Sequence, residues 1–191
     1  MTVVRCTAKL LKRLGQPAKL PEPTPAASPL GEWYADVDFI DREPFALLLN
    51  ATTGAGMVLP ARAADLRTLH VHAGQQLFKL FLHYGFDLDT HLVSAELRAW
   101  DAPPTYANTR DRSLLGSMIQ FRDATWHHFA HCNRSLPEAA SRQWEGLFRH
   151  PSLTPPGRRY GNASWQQPLN LVRARLTAHE AATPTIVPTV H

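Results

Sequence analysis

Between residues 33 and 39, Trp33, Ala35, Val37 and Phe39 alternate with Tyr34, Asp36 and Asp38. A period of two places successive side chains on opposite faces, so this segment is expected to be a strand with one face toward a core and the other toward water. That commits the chain to a sheet. Asp41-Arg42-Glu43-Pro44 supplies a turn, Phe45 to Leu49 a second and more apolar strand, and Asn50 to Gly56 the next connection. Met57-Val58-Leu59 then closes an antiparallel meander that Pro60 ends. Thr2 to Cys6 is expected to add a short strand at the start of the chain.

The rest of the chain has helical spacing. Thr7 is a good N-cap because its hydroxyl can accept a hydrogen bond from a free amide in the first turn. Leu10, Leu11 and Leu14 then make an apolar stripe, while Lys9, Lys12 and Arg13 fall at i, i+3 and i+4 on another face. Five prolines between Pro17 and Pro29 predict an extended surface linker over residues 17–30. Leu66, Leu69, Ala73, Leu77, Leu80, Phe81 and Tyr84 recur every three or four residues, predicting a helix from Ala63 to Tyr84 that Gly85 stops. Asp87 to Trp100 is expected to be a shorter helix, and Thr105 to Thr109 a return to the sheet. Leu114, Met118, Phe121 and Phe129 predict a long helix ending near Cys132, followed by helices over Glu138–Phe148 and Leu169–Leu176. Residues 151–165 are expected to be a loop. The expected fold is α+β: a small antiparallel sheet, made of the meander plus the N-terminal strand, packed against several helices. One domain spans residues 1–176, and residues 177–191 are expected to form a disordered tail.

Composition agrees with a packed domain. Apolar residues make up 44% of the 191 and charged residues 19%, too little charge for disorder throughout. The formal charge of +4 permits a phosphate-rich partner without requiring one. Cys6 and Cys132 are too few for a disulfide framework and lack CxxC spacing, which fits a reducing compartment. No apolar run is long enough to span a membrane. Four basic residues interrupt the first apolar stretch, so a strand and helix fit it better than a secretory signal. The expected protein is soluble and cytoplasmic, without membrane partner or cofactor.

Three segments together carry a resemblance. They are Arg5-Cys6-Thr7-Ala8-Lys9-Leu10-Leu11-Lys12-Arg13-Leu14, then Gly31-Glu32-Trp33-Tyr34-Ala35 continuing to Phe39-Ile40-Asp41-Arg42, then Arg112-Ser113-Leu114-Leu115-Gly116-Ser117-Met118. Over roughly residues 1–130 the chain resembles an uncharacterised bacterial family, a domain of unknown function, and the resemblance implies no activity. The family pattern has Asn before the Arg of the third segment and Asn-Asp after its Met. Here Asp111 and Ile119-Gln120 stand in those places, and Asp36 stands where the family tends to have Asn. A carboxylate role at position 36 is therefore not implied by the family.

Four groups of residues invite chemistry. Arg5, Thr7, Lys9, Lys12 and Arg13, with Arg110 and Arg112, are candidates for an anion site at a helix N-terminus. The alternative is that Lys12 and Arg13 only complement the helix dipole and solvate its exposed face. Asp36 and Asp38 share one face of a strand with Tyr34, the arrangement by which two carboxylates hold a divalent cation. Nothing in the spacing ties a third carboxylate to them, so a solvated strand accounts for the pattern. His127 and His131 are one helical turn apart, close enough to share a transition metal. His128 stands where a zincin has its catalytic Glu, and it falls with Cys132 on the stripe continued from Phe121, so packing is favoured over metal. Trp33, Tyr34, Trp126, Trp144 and Trp165 are able to stack on bases, but core packing is their expected use.

Gly54-Ala55-Gly56 lacks the Gly-Lys-Ser/Thr of a P-loop, and Gly116-Ser117-Met118 is no nucleophile elbow. The leading expectation is a non-enzymatic module that binds nucleic acid or a phosphorylated ligand through the basic helix and the Arg110/Arg112 segment. One alternative is a metal-dependent phosphoesterase or nuclease using Asp36 and Asp38. Another is a partner-docking protein with no small-molecule site, marked by a broad exposed apolar patch.

Overall fold

Asp41 and Arg42 both have positive φ, 48° and 71°, at the tip of a two-residue hairpin. Positive φ at both central positions is the type I′ condition, whose twist matches that of the flanking strands. The turn sets the register from Ile40 opposite Glu43 to Trp33 opposite Asn50. The strand after it therefore starts at Glu43, ahead of Pro44, rather than at Phe45.

The computed structural model describes residues 1–132, 135–145 and 167–177. In chain order these form β1 (Val3–Cys6), α1 (Ala8–Arg13), β2 (Trp33–Ile40), β3 (Glu43–Asn50), β4 (Gly56–Pro60), α2 (Ala63–Arg67) and α3 (Leu69–His83). They continue with α4 (His91–Arg98), β5 (Thr105–Asn108), α5 (Arg112–Cys132), α6 (Leu136–Trp144) and α7 (Pro168–Thr177). The five strands lie in the order β4-β3-β2-β1-β5. The longer ladders, β2 with β3 and β3 with β4, are antiparallel, as the meander predicts. β1 is parallel to both β2 and β5, so the sheet is mixed. Parallel pairing needs a long crossover, and the proline-rich segment with α1 provides it between β1 and β2.

Both faces of the sheet are covered. Val4, Cys6, Trp33, Ala35, Val37, Leu48, Met57 and Leu59 point into a core closed by Leu10 and Leu11 of α1, by α3, and by Val93, Trp144 and Val172. Tyr34, Phe45, Leu47, Leu49 and Val58 point the other way, under Leu114, Met118 and Phe121 of α5. The expectation of one wet face is corrected here: the long amphipathic α5 lies on it and buries Tyr34. α5 sits close to the sheet, because a Cβ at Gly56 would fall 2.6 Å from the Phe121 ring.

Other boundaries move as well. The expected single helix from Ala63 to Tyr84 is two, broken at Thr68, which has φ −117° and whose hydroxyl donates back to the Asp65 carbonyl. The helix expected from Asp87 begins at His91. The proline-rich linker is exposed over much of its length, but Ser28 and Leu30 at its end are buried. The Leu30 amide donates to the Glu96 carboxylate at 2.8 Å, and Asn50 Nδ2 donates to the Leu30 carbonyl at 3.0 Å. Segment ends that carry backbone polar groups into a core need such partners. The expected loop over residues 151–165 and nearly all of the expected tail lie outside the described residues, as does Trp165. No described helix is long and apolar enough to cross a membrane.

Candidate functional site

The strand β1 places Arg5 on the face that α5 covers, in register with Tyr34 on one side and Ala107 on the other. Its side chain is only 1% exposed. A buried guanidinium must find acceptors for its five N–H groups, and the surrounding elements supply them. Nε donates to Glu32 Oε2 at 2.7 Å and Nη2 to Glu32 Oε1 at 3.0 Å, a bidentate pair. Nη2 also donates to Glu22 Oε1 at 2.5 Å, and Nη1 to Glu22 Oε2 at 3.3 Å and the Asn108 carbonyl at 3.1 Å. Arg110 closes the group from outside, donating from Nη1 to Glu22 at 2.8 Å and from Nη2 to Glu32 at 3.2 Å.

The result is two arginines around two glutamates, with no net charge. Hydrogen bonding from Arg5 holds the carboxyls of Glu22 and Glu32 below the ordinary carboxylate value, and the same bonds raise Arg5 still further. Glu32 has a side chain 18% exposed and directly precedes β2, whereas Glu22 is 62% exposed and comes from the proline-rich linker. Asn108 fixes that linker as well, through Nδ2 to the Ala18 carbonyl and through Oδ1 from the Leu20 amide.

Beside this group, Thr7 caps α1 as expected, its Oγ1 accepting from the Leu10 amide at 3.4 Å. The same hydroxyl donates to Asp36 Oδ1 at 2.5 Å. Asp38, two residues along β2, lies between Lys9 at 3.2 Å and Arg122 at 3.5 Å. The two carboxylates proposed for a divalent cation are thus engaged separately, one by a hydroxyl and one by two cations. His127 and His131 lie on the exposed side of α5 with ring centroids 4.3 Å apart and ring planes tilted by 50°. Among the described residues no three His, Cys, Asp or Glu side chains are grouped to hold a metal ion.

The seven anion-site candidates therefore divide. Arg5 and Arg110 belong to the neutral group, and Thr7 is the cap bonded to Asp36. Lys9 and Arg13 stand by Phe39, with Lys9 Nζ 5.4 Å and the Arg13 guanidinium carbon 5.2 Å from the ring centroid. Arg13 also donates to the Ala61 carbonyl at 3.2 Å. Lys12 is exposed and has no ion pair among the described residues, and the same holds for Arg112 at the start of α5. Asp111 caps α5, accepting from the Ser113 and Leu114 amides at 2.8 and 3.3 Å.

Glu22, Glu32 and Asn108 are the members of the buried group that the sequence reading did not single out. One signal for Glu22 existed: it is the sole acidic residue of the linker, held between Pro21 and Pro23. The three recognised segments do meet in space, since Arg5, Tyr34 and the first turns of α5 share one face of the sheet. Clefts lined by described residues lie elsewhere, one between α3 and α4 and another, of about 450 Å³, beside Phe45, Arg62 and Phe129. Among the described residues, exposed large apolar side chains fall in small groups, chiefly Val71, Phe78 and Leu82 on α3.

The family model described as Domain of unknown function (DUF6933) matches residues 3–150. No curated protein and no solved structure matches the chain.

Proposed function

We propose that this chain, which belongs to the DUF6933 domain-of-unknown-function family, is a non-enzymatic module that binds an anionic polymer, nucleic acid, through the outer face of α1. The observation that carries the reading is the grouping of Lys9, Lys12 and Arg13 on an exposed helix face beside Phe39. Cations flanking an aromatic ring suit a phosphate backbone with its bases nearby. Arg122 lies beside the patch but is held by Asp38 and Asp123, so Lys9, Lys12 and Arg13 carry the reading. An exposed face rather than a cleft favours a long partner, read at several phosphates, over a small phosphorylated ligand enclosed on all sides. The separate engagement of Asp36 and Asp38 favours binding over metal-dependent hydrolysis.

The test is fluorescence anisotropy with a single-stranded oligonucleotide that lacks terminal phosphate, titrated at several salt concentrations. If three phosphates are contacted, log K should fall with log salt with a slope of about −2. Replacing Lys9, Lys12 and Arg13 together with Glu should flatten that slope and weaken binding at least about tenfold. Unchanged binding would remove the reading.

A further inference from the structure

Glu22 and Glu32 both hold Arg5, but they do so from different kinds of structure. Glu32 directly precedes β2 and by itself makes a bidentate pair with Nε and Nη2. Glu22 comes from a stretch in which Pro21, Glu22, Thr24 and Pro25 are exposed. Its carboxylate receives Arg5 Nη1 and Nη2 and Arg110 Nη1, so three N–H donors from two arginines converge on one exposed oxyanion.

Without that carboxylate, Arg5 and Arg110 would keep only Glu32 and the Asn108 carbonyl as partners, leaving the group with one net positive charge. Two arginine forks meeting at one point is the geometry by which proteins bind phosphoryl groups. We propose that Arg5 and Arg110 form a binding site for a phosphate monoester, and that Glu22 of the proline-rich strap occupies it as an internal stand-in for the ligand. A phosphoryl group offers three terminal oxygens where the carboxylate offers two, and at neutral pH it carries more charge than Glu22. Near this point the strap is held by Ala18 and Leu20 on Asn108 and by the Leu20 side chain against the core, so the part that lifts is the short stretch from Pro21 to Pro25. This site is separate from the α1 face and stands or falls without it.

With Glu22 in place the site is competent only in the fraction of molecules whose strap has lifted, and apparent affinity falls by that fraction. The experiment is inorganic phosphate titrated into the full chain, followed by thermal shift and isothermal calorimetry against sodium chloride at matched ionic strength. Glu22→Ala is expected to bind phosphate saturably, at least about tenfold more tightly than the wild type. Glu22→Gln, which keeps the shape and drops the charge, should fall between them. Adding Arg110→Gln to Glu22→Ala should abolish the gain, and acetate should not reproduce it. The proposal is overturned if Glu22→Ala binds phosphate no better than the wild type, or if its gain survives Arg110→Gln. Because the oligonucleotide that tests α1 carries no terminal phosphate, failure of either reading leaves the other's result intact.

Discussion

The arginines at positions 5 and 110 and the cations of α1 look alike in sequence, since both are basic residues in or beside segments that carry the family resemblance. In the structure they are opposites. Arg5 is buried, with all five N–H groups taken, and its charge is cancelled by Glu22 and Glu32. Lys12 is exposed and unpaired among the described residues, and Lys9 holds Asp38 only at the surface, where such a pair stabilises little. A positive residue is a binding group only where the fold leaves its charge uncancelled. Charge counted along the chain gives the supply; what remains for a partner depends on acids brought from far away in sequence.

The widest gap between the two regions should be in stability. Arg5→Met would leave Glu32 without its bidentate partner, and removing one member of a buried pair costs about 3–5 kcal/mol. The exposure of Glu22 and partial exposure of Glu32 should bring this toward about 3 kcal/mol, read as a lowered urea midpoint. A loss below about 1 kcal/mol would mean that the buried group is not what joins β1, β2, β5 and the strap.

A smaller effect follows from pH, and here the carboxylates around Arg5 and the buried Glu96 oppose each other. Glu22 and Glu32 are held below the ordinary value by Arg5, so the stability they confer is present above that value and is lost as pH falls through their lowered pKa. Burial first of all pushes the Glu96 carboxyl up, against the hydrogen bonds from Leu30, Trp100 and Ser28. Its folded form therefore binds a proton more readily than its unfolded form. Its contribution is complete below the unfolded value near 4.5 and is lost as pH rises through the raised one. Stability should rise with pH on the acid side, through Glu22 and Glu32, and fall above, where the limb carried by Glu96 alone is no steeper than about 1.4 kcal/mol per pH unit. Glu96→Gln should flatten the upper limb and leave the acid limb in place. If the upper limb persists in that variant, Glu96 is not its source.

The smallest stability effect should come from α1. Lys12→Glu reverses an exposed charge that has no ion pair among the described residues, so stability read from the urea midpoint should change by less than about 0.5 kcal/mol while oligonucleotide affinity falls. A destabilisation as large as that of Arg5→Met would show that Lys12 has a structural role and would erase the contrast.

Local patterns explain what the sequence made readable. The alternation in β2, the leucine stripe of α1, the Thr7 cap and the spacing of α5 each arise from neighbours within a few residues, and each reappears in the structure. The parallel placement of β1 beside both β2 and β5 was not readable, because pairing partners are fixed by how α5 and the linker pack rather than by the strand's own pattern. The face of β2 with Asp36 and Asp38 looked wet because the helix that covers it starts more than seventy residues later. Arg5 misled for the same reason: its acceptors sit 17, 27 and 103 residues away. The carboxylate Glu22 was visible only as an acid among prolines, and neither propensity nor periodicity assigns such a residue a partner.

The most direct measurement compares oligonucleotide binding by Lys12→Glu/Arg13→Glu with binding by Arg110→Glu, in the same buffer and over the same salt range. The α1 double variant should lose affinity and salt slope, while Arg110→Glu, whose charge is already spent on Glu22 and Glu32, should bind like the wild type. Loss of binding in Arg110→Glu with none in the α1 variant would contradict the account.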